Sequence, residues 1–254
     1  MKATTTRRVL SLALTLTVLP VAAACGGHGD AASPALATAQ PPATGVPGGR
    51  LVVTTDNGLR LRPTDGHRVT VDDRVHAEWS HRGRTWTLDL SCRDGKGTDG
   101  PCPRMPAVRV PDGLSVTVSA RNAGIDAAGV DAALDLTTVN GDMTVTRSGR
   151  ADAPVRLATR NGSVRVTGLD AARVRAATTN GDVVLACATA PSSVTATTTN
   201  GSVDVTVPHD APAYRVTADT DNGRATTNVP ASKGSGGPDM TLTTVNGDVG
   251  ARLG

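Results

Sequence analysis

The tetrapeptide Thr-x-Asn-Gly recurs so often in this chain that it restricts the folds open to it. It stands at Thr138-Val139-Asn140-Gly141, Thr159-Arg160-Asn161-Gly162, Thr178-Thr179-Asn180-Gly181, Thr198-Thr199-Asn200-Gly201, Thr220-Asp221-Asn222-Gly223 and Thr244-Val245-Asn246-Gly247, with an outlying copy at Thr55-Asp56-Asn57-Gly58. From Asn140 onward the copies are 21, 19, 20, 22 and 24 residues apart. A period of about 20 residues belongs to arrays whose units are too small to bury an apolar face alone and must stack on their neighbours.

Apolar residues fall at the sixth and fourth positions before each Asn, as in Val155 and Leu157, Val194 and Ala196, or Met240 and Leu242. They return at the third and fifth positions after it, as in Met143 and Val145, Val164 and Val166, or Val203 and Val205. This period of two predicts a half-buried strand on either side of every Asn-Gly, with the Thr closing the first strand on its inward face. The fold class is therefore all-β. Two architectures satisfy the pattern. Asn-Gly between alternating runs is a strong hairpin signal and would give an antiparallel meander. Identical Thr and Asn in unit after unit instead favour a parallel β-solenoid of Thr-x-Asn-Gly coils spaced by about 4.8 Å, in which like residues lie above one another. In that arrangement Asn140, Asn161, Asn180, Asn200, Asn222 and Asn246 form a structural turn ladder. Each Asn is expected at positive φ, and Asn246, nearest the chain end, is expected to have a neighbour on one side only.

The repeated T-x-N-G-[DS]-[VM]-x-[VL] pattern behind a secretion signal resembles the bacterial adhesin-like repeat family known as DUF4097. The resemblance covers residues 50–254. It implies a β-solenoid, an extracytoplasmic and non-enzymatic role, and no catalytic or ligand residues.

The chain opens with Lys2, Arg7 and Arg8 ahead of an apolar run containing Leu10, Leu12, Leu14, Leu16 and Leu19. Residues 1–24 read as a signal peptide, and Val21-Ala22-Ala23-Ala24-Cys25 resembles a lipobox that would make Cys25 a lipid attachment site. Ordinary cleavage after Ala-x-Ala, giving a secreted protein, is the alternative. Residues 25–49, rich in Ala, Pro, Gly, Ser and Thr, hold too little apolar surface to pack and read as a disordered tether. The solenoid domain then spans 50–254. Its first unit places Leu59 and Leu61 one position early, which suggests a bulge or an edge cap.

Residues 63–110 depart from the signature and read as a divergent insertion, or as divergent coils, near the N-terminal end. Val75, Ala77 and Trp79 alternate before His81-Arg82-Gly83-Arg84, and Trp86, Leu88 and Leu90 alternate after it, which predicts a hairpin with both tryptophans on one face. They read as an end seal; a binding surface at Trp79 and Trp86 is the functional alternative. Glu78 falls on the opposite face. Cys92 and Cys102 flank a loop without packing residues, and in an exported chain they are expected to form a disulfide. His76 and His81 do not complete a zinc set with them, so no metal and no cofactor is expected. Cys187, on the inward phase, reads as a buried free thiol.

The formal net charge is +3, with cations spread along the chain and no nucleic-acid footprint. Asp142, Asp182 and Asp248 follow Asn-Gly in three units but alternate with Ser163 and Ser202, so they do not assemble the convergent carboxylates a polysaccharide-acting β-helix enzyme needs. These features favour a non-enzymatic, lipid-anchored envelope protein on the extracytoplasmic side, with the membrane and an unknown protein or polysaccharide ligand as partners. A self-associating envelope scaffold is the second reading.

Overall fold

A computed structural model describes residues 49–73, 75–91, 105–232, 234 and 236–254, all within one compact unit, 38–254. The signal peptide, Cys25, all of the tether but Gly49, and the pair Cys92 and Cys102 lie outside the described residues. The described chain is all-β, without helices. Its strands are β1 (Arg50–Thr54), β2 (Leu59–Pro63), β3 (Thr70–Val71), β4 (Glu78–Arg82), β5 (Thr85–Asp89), β6 (Ala107–Val110), β7 (Ser115–Ser119), β8 (Ile125–Ala128), β9 (Leu134–Thr137), β10 (Met143–Thr146), β11 (Gly149–Ala158), β12 (Val164–Ala177), β13 (Val183–Cys187), β14 (Ser193–Thr197), β15 (Val203–Val207), β16 (Arg215–Asn222), β17 (Ala225–Asn228), β18 (Asp239–Asn246) and β19 (Val249–Leu253).

The strand before each Asn pairs in parallel with its counterparts in one sheet, and the strand after it pairs in a second sheet. Val174 of β12 lies between Val155 of β11 and Val194 of β14 in the first sheet. Val183 of β13 lies between Val164 of β12 and Val203 of β15 in the second. This pairing excludes the hairpin meander, in which the flanking strands would be antiparallel partners. The fold is β-solenoid-like, and β12 is long enough to contribute to both sheets.

The levels do not stack in chain order. At one end the β18/β19 level sits between β14/β15 and β16/β17, because β18 pairs with both β14 and β16 and β19 with both β15 and β17. At the other end β1 lies between β5 and β7, and β2 between β6 and β8. The first unit is thus interior, which corrects its expected place as an edge cap. Nor does it carry a bulge: Leu59 stands level with Ile125, and the turn after Asn57 is one residue shorter than the Asn122-Ala123-Gly124 turn beside it. The divergent segment 63–110 is also more than an inserted hairpin. Its β5 and β6 supply a parallel level of the stack, while β4 and β3 pair antiparallel with them. The first and last described strands therefore gain a neighbour on both sides, and mid-chain segments form the ends.

Inward residues from both sheets make the core: Leu51, Val53, Leu59, Leu61, Val116, Ile125, Leu136, Met143, Leu157, Val183, Val203 and Leu242 are all essentially inaccessible. Burial of such side chains contributes about 1.5–3 kcal/mol each for the larger ones, which a single level cannot collect without its neighbours. The β16/β17 level is poorer. Val216 and Ala218 are half-buried, and Ala225 and Thr227, at the inward positions of β17, are exposed.

Candidate functional site

The Thr-x-Asn-Gly corner is the feature the whole sequence repeats, and its side chains bond from one level to the next. Asn161 Nδ2 donates to Asn140 Oδ1 at 2.8 Å, Asn180 to Asn161 at 2.8 Å, Asn200 to Asn180 at 2.9 Å, Asn246 to Asn200 at 2.9 Å and Asn222 to Asn246 at 3.0 Å. All six asparagines expected in the ladder stand in it. Their order follows the stack, so Asn246 has a neighbour on each side and Asn222 on one, reversing the expectation from chain position.

Positive φ belongs to the glycine and not to the asparagine in the ladder corners of Gly141, Gly162, Gly181, Gly201 and Gly247, Gly223 being the exception. Gly162 and Gly181 stand at φ 151° and 143°, and the only non-glycine residue at positive φ among those described is Arg147. Glycine is also required by proximity: a Cβ on Gly181 would come within 2.2 Å of the Gly162 carbonyl oxygen. The corner backbone can stack this closely only where no side chain intervenes. The Thr hydroxyl uses the same carbonyl. Thr178 Oγ1 donates to Gly162 O, Thr198 to Gly181 O and Thr244 to Gly201 O, each at 2.8 Å. This explains why Thr and not Val holds a buried inward position: Val would fill the space but could not donate.

The residue after each Gly completes the corner. Asp142 Oδ1 accepts from Ser163 N at 2.8 Å, Ser163 Oγ from Asp182 N at 3.2 Å, Asp182 Oδ1 from Ser202 N at 2.9 Å, Ser202 Oγ from Asp248 N at 3.2 Å and Asp248 Oδ1 from Arg224 N at 2.9 Å. In stack order the residues read Asp, Ser, Asp, Ser, Asp, Arg. Carboxylates one level apart would repel, and a serine separates each pair of them, with Arg224 following the last.

Trp79 and Trp86 lie on the inward face of the β4–β5 hairpin, in register with Leu88 and Leu51 respectively. Both are half-buried against the core, with ring centroids 6.4 Å apart at 79°, an edge-to-face contact. The His81 ring, directly opposite Trp86, lies 4.3 Å from it. Glu78, on the other face, is 3.4 Å from His76 Nε2. Trp79 thus continues the core past the last parallel level, on which Trp86 stands, and both residues remain partly exposed to solvent. Beside β3, a shallow groove is lined by Thr70, Val71, Asp72, Asp73, Ala107 and Arg109.

Cys187 is free and buried, and burial, aided by the nearby Asp170 charge, pushes its thiol up to about 12. Such a thiol is not a nucleophile at neutral pH. Tyr214 is a fully buried residue that sequence reasoning passed over. Its hydroxyl donates to Pro191 O at 2.9 Å, and burial raises its pKa to about 12. A lone Tyr in a chain without Phe was the available signal. Among the described residues no group of three or more His, Cys, Asp or Glu could hold a metal ion, and no helix is long and apolar enough to cross a membrane.

Parallel levels, a glycine corner and bonded side-chain ladders define a β-solenoid-like stacking domain. The chain belongs to the Toastrack DUF4097 family, whose model matches residues 115–251, from the first residue of β7 into β19. The capped β4/β5 end lies outside the match. No curated protein matches the chain. Among solved structures, a "putative cell adhesion protein" from Clostridium sporogenes ATCC 15579 is similar at a TM-score of 0.42 and 8% identity, over 85% of this chain and 97% of that one. A likeness of that degree says nothing about function.

Proposed function

We propose that this protein is a non-enzymatic envelope lipoprotein, anchored through Cys25 on the extracytoplasmic side, whose stack presents surfaces to a protein or polysaccharide ligand. The observation that carries the reading is the corner. Its Thr, Asn and Asp or Ser side chains are bonded to the next level, so the repeated signature is accounted for by stacking, and a partner would be met by the outer faces and the open edges of Trp79 and Trp86. The leader and the lipobox-like Val21-Ala22-Ala23-Ala24-Cys25 support export and anchoring. Carboxylates that alternate with serine and accept backbone N–H groups are better suited to turn structure than to acid–base chemistry.

Two measurements test it. Cys25→Ala should move the protein from the detergent phase to the medium, and a variant that stays with the membrane would refute the anchor. The full chain, immobilised and exposed to envelope extract, should retain a partner that the Trp79→Ala/Trp86→Ala variant loses while its melt stays cooperative. Equal retention by both would remove the tryptophan surface from the proposal.

A further inference from the structure

The two ends of the stack are finished differently. Beyond β5 and β6 the chain adds antiparallel strands, β4 on β5 and β3 on β6, so parallel stacking stops there. At the other end β16 pairs only with β18 and β17 only with β19 among the described strands. Among the described residues nothing antiparallel finishes this end in either sheet.

The backbone of this edge has a defined phase. Arg215 N donates to Pro238 O, so Arg215, Thr217 and Asp219 turn their amides toward β18, and by alternation Val216, Ala218 and Thr220 turn theirs outward. Arg224 O accepts from Val249 N, which likewise leaves the backbone amides of Ala225 and Thr227 in β17 turned away from β19. One residue upstream the edge is already occupied, because Tyr214 bonds to Pro230 and Ser232.

We infer that this end is a self-pairing interface, at which a second copy of the chain adds β16 to β16 and β17 to β17 antiparallel about a two-fold axis. Centred on Ala218, the first pairing sets Val216 opposite Thr220 of the second copy and Ala218 opposite Ala218, the outward-facing residues. It also sets Arg215, which pairs with Asp239 in its own chain, opposite Asp221 of the second copy, and Thr217 opposite Asp219. No like charges meet. Centred on Thr226, the second pairing sets Ala225 opposite Thr227. Ala218 is four residues before Asn222 and Thr226 four after it, so one axis through the end of the stack serves both sheets. The half-buried Val216 and Ala218 would then pack against Thr220 and Ala218 of the second copy, and a closed two-fold contact uses this edge once in each copy.

Sedimentation of the full chain in detergent tests this, with two variants. In Ala218→Pro the lost N–H is one that faces outward, so the bonds to β18 remain while the edge is blocked. In Thr226→Cys the new thiol lies on the outer face at the axis, where opposed residues of a non-hydrogen-bonded pair approach to about 4.5 Å between Cα atoms. The expected result is twice the monomer mass for the wild-type chain and the monomer mass for Ala218→Pro with an unchanged melt. Thr226→Cys should give a disulfide-linked dimer on a non-reducing gel, and Thr144→Cys, on the same face in mid-stack, should not. A monomeric wild-type chain overturns the inference, as does a dimer that survives Ala218→Pro. Should Ala218→Pro fail to fold, the Thr226→Cys cross-link decides, and its absence overturns the proposal.

Discussion

Asn246 Nδ2 donates to Asn200 Oδ1 at 2.9 Å across 46 residues of sequence, while Asn222, between them in the chain, stacks outside Asn246. The ladder order is therefore a measurable property. Asn180→Ala and Asn246→Ala each remove two side-chain bonds and should each cost about 1–2 kcal/mol, whereas Asn222→Ala removes one and should cost about half as much. Urea melts of the three single variants check it. If Asn246→Ala were the mildest, the levels would follow chain order.

Gly181 combines positive φ with a carbonyl where a Cβ would sit, and Gly83, in the β4–β5 turn, has φ 60° with nothing within 4 Å. Gly181→Ala should cost about 3 kcal/mol or more, because an interior level must open to admit the methyl. Gly83→Ala should cost about 1 kcal/mol, from backbone strain alone. Thermal unfolding of both would separate steric exclusion from strain, and equal losses would count against the close approach.

Thr198→Val keeps the shape of a buried side chain and deletes the donor to Gly181 O. A loss of about 1–2 kcal/mol is expected, and a smaller one for Thr220→Val, whose hydroxyl bonds Gly247 O from the half-exposed end level. Chemical denaturation measures both. No loss in Thr198→Val would mean that the hydroxyl is incidental to the corner.

The thiol of Cys187 should resist alkylation at pH 8 in the folded protein and react once it is unfolded; Cys92 and Cys102, if bonded, should then react only after reduction. Its folded pKa of about 12 lies above the unfolded value, so between about pH 9 and 12 the unfolded chain releases a proton that the folded chain keeps. Stability must fall through that window. Cys187→Ala should flatten part of the fall, and Tyr214, raised to about 12 as well, should account for more of it above about pH 10. A pH series of melts tests the sign, and rising stability across the window would contradict burial of these groups.

The repeating unit was legible in the order of residues. Period-two apolar positions around each Asn-Gly specified two strands and their inward residues, and the recurrence of Thr and Asn specified stacking, because only like residues in register can share a ladder. The same reasoning placed Trp79 with Trp86 and Cys187 in the core. It assigned positive φ to Asn, since Asn-Gly admits that conformation at either residue. Only the Gly162 carbonyl, 2.2 Å from where a Gly181 Cβ would lie, decides for glycine.

Tertiary structure alone decided the order of the levels. Units with the same signature are interchangeable as neighbours, so the local pattern cannot tell whether Asn200 stacks on Asn222 or on Asn246. The choice falls to unequal inward faces. Val249 and Ala251 are buried between two levels, while Ala225 and Thr227 remain exposed at the end. Placing the poorer face outermost keeps more apolar area from water, and the residues between β17 and β18 form the connection that steps back one level.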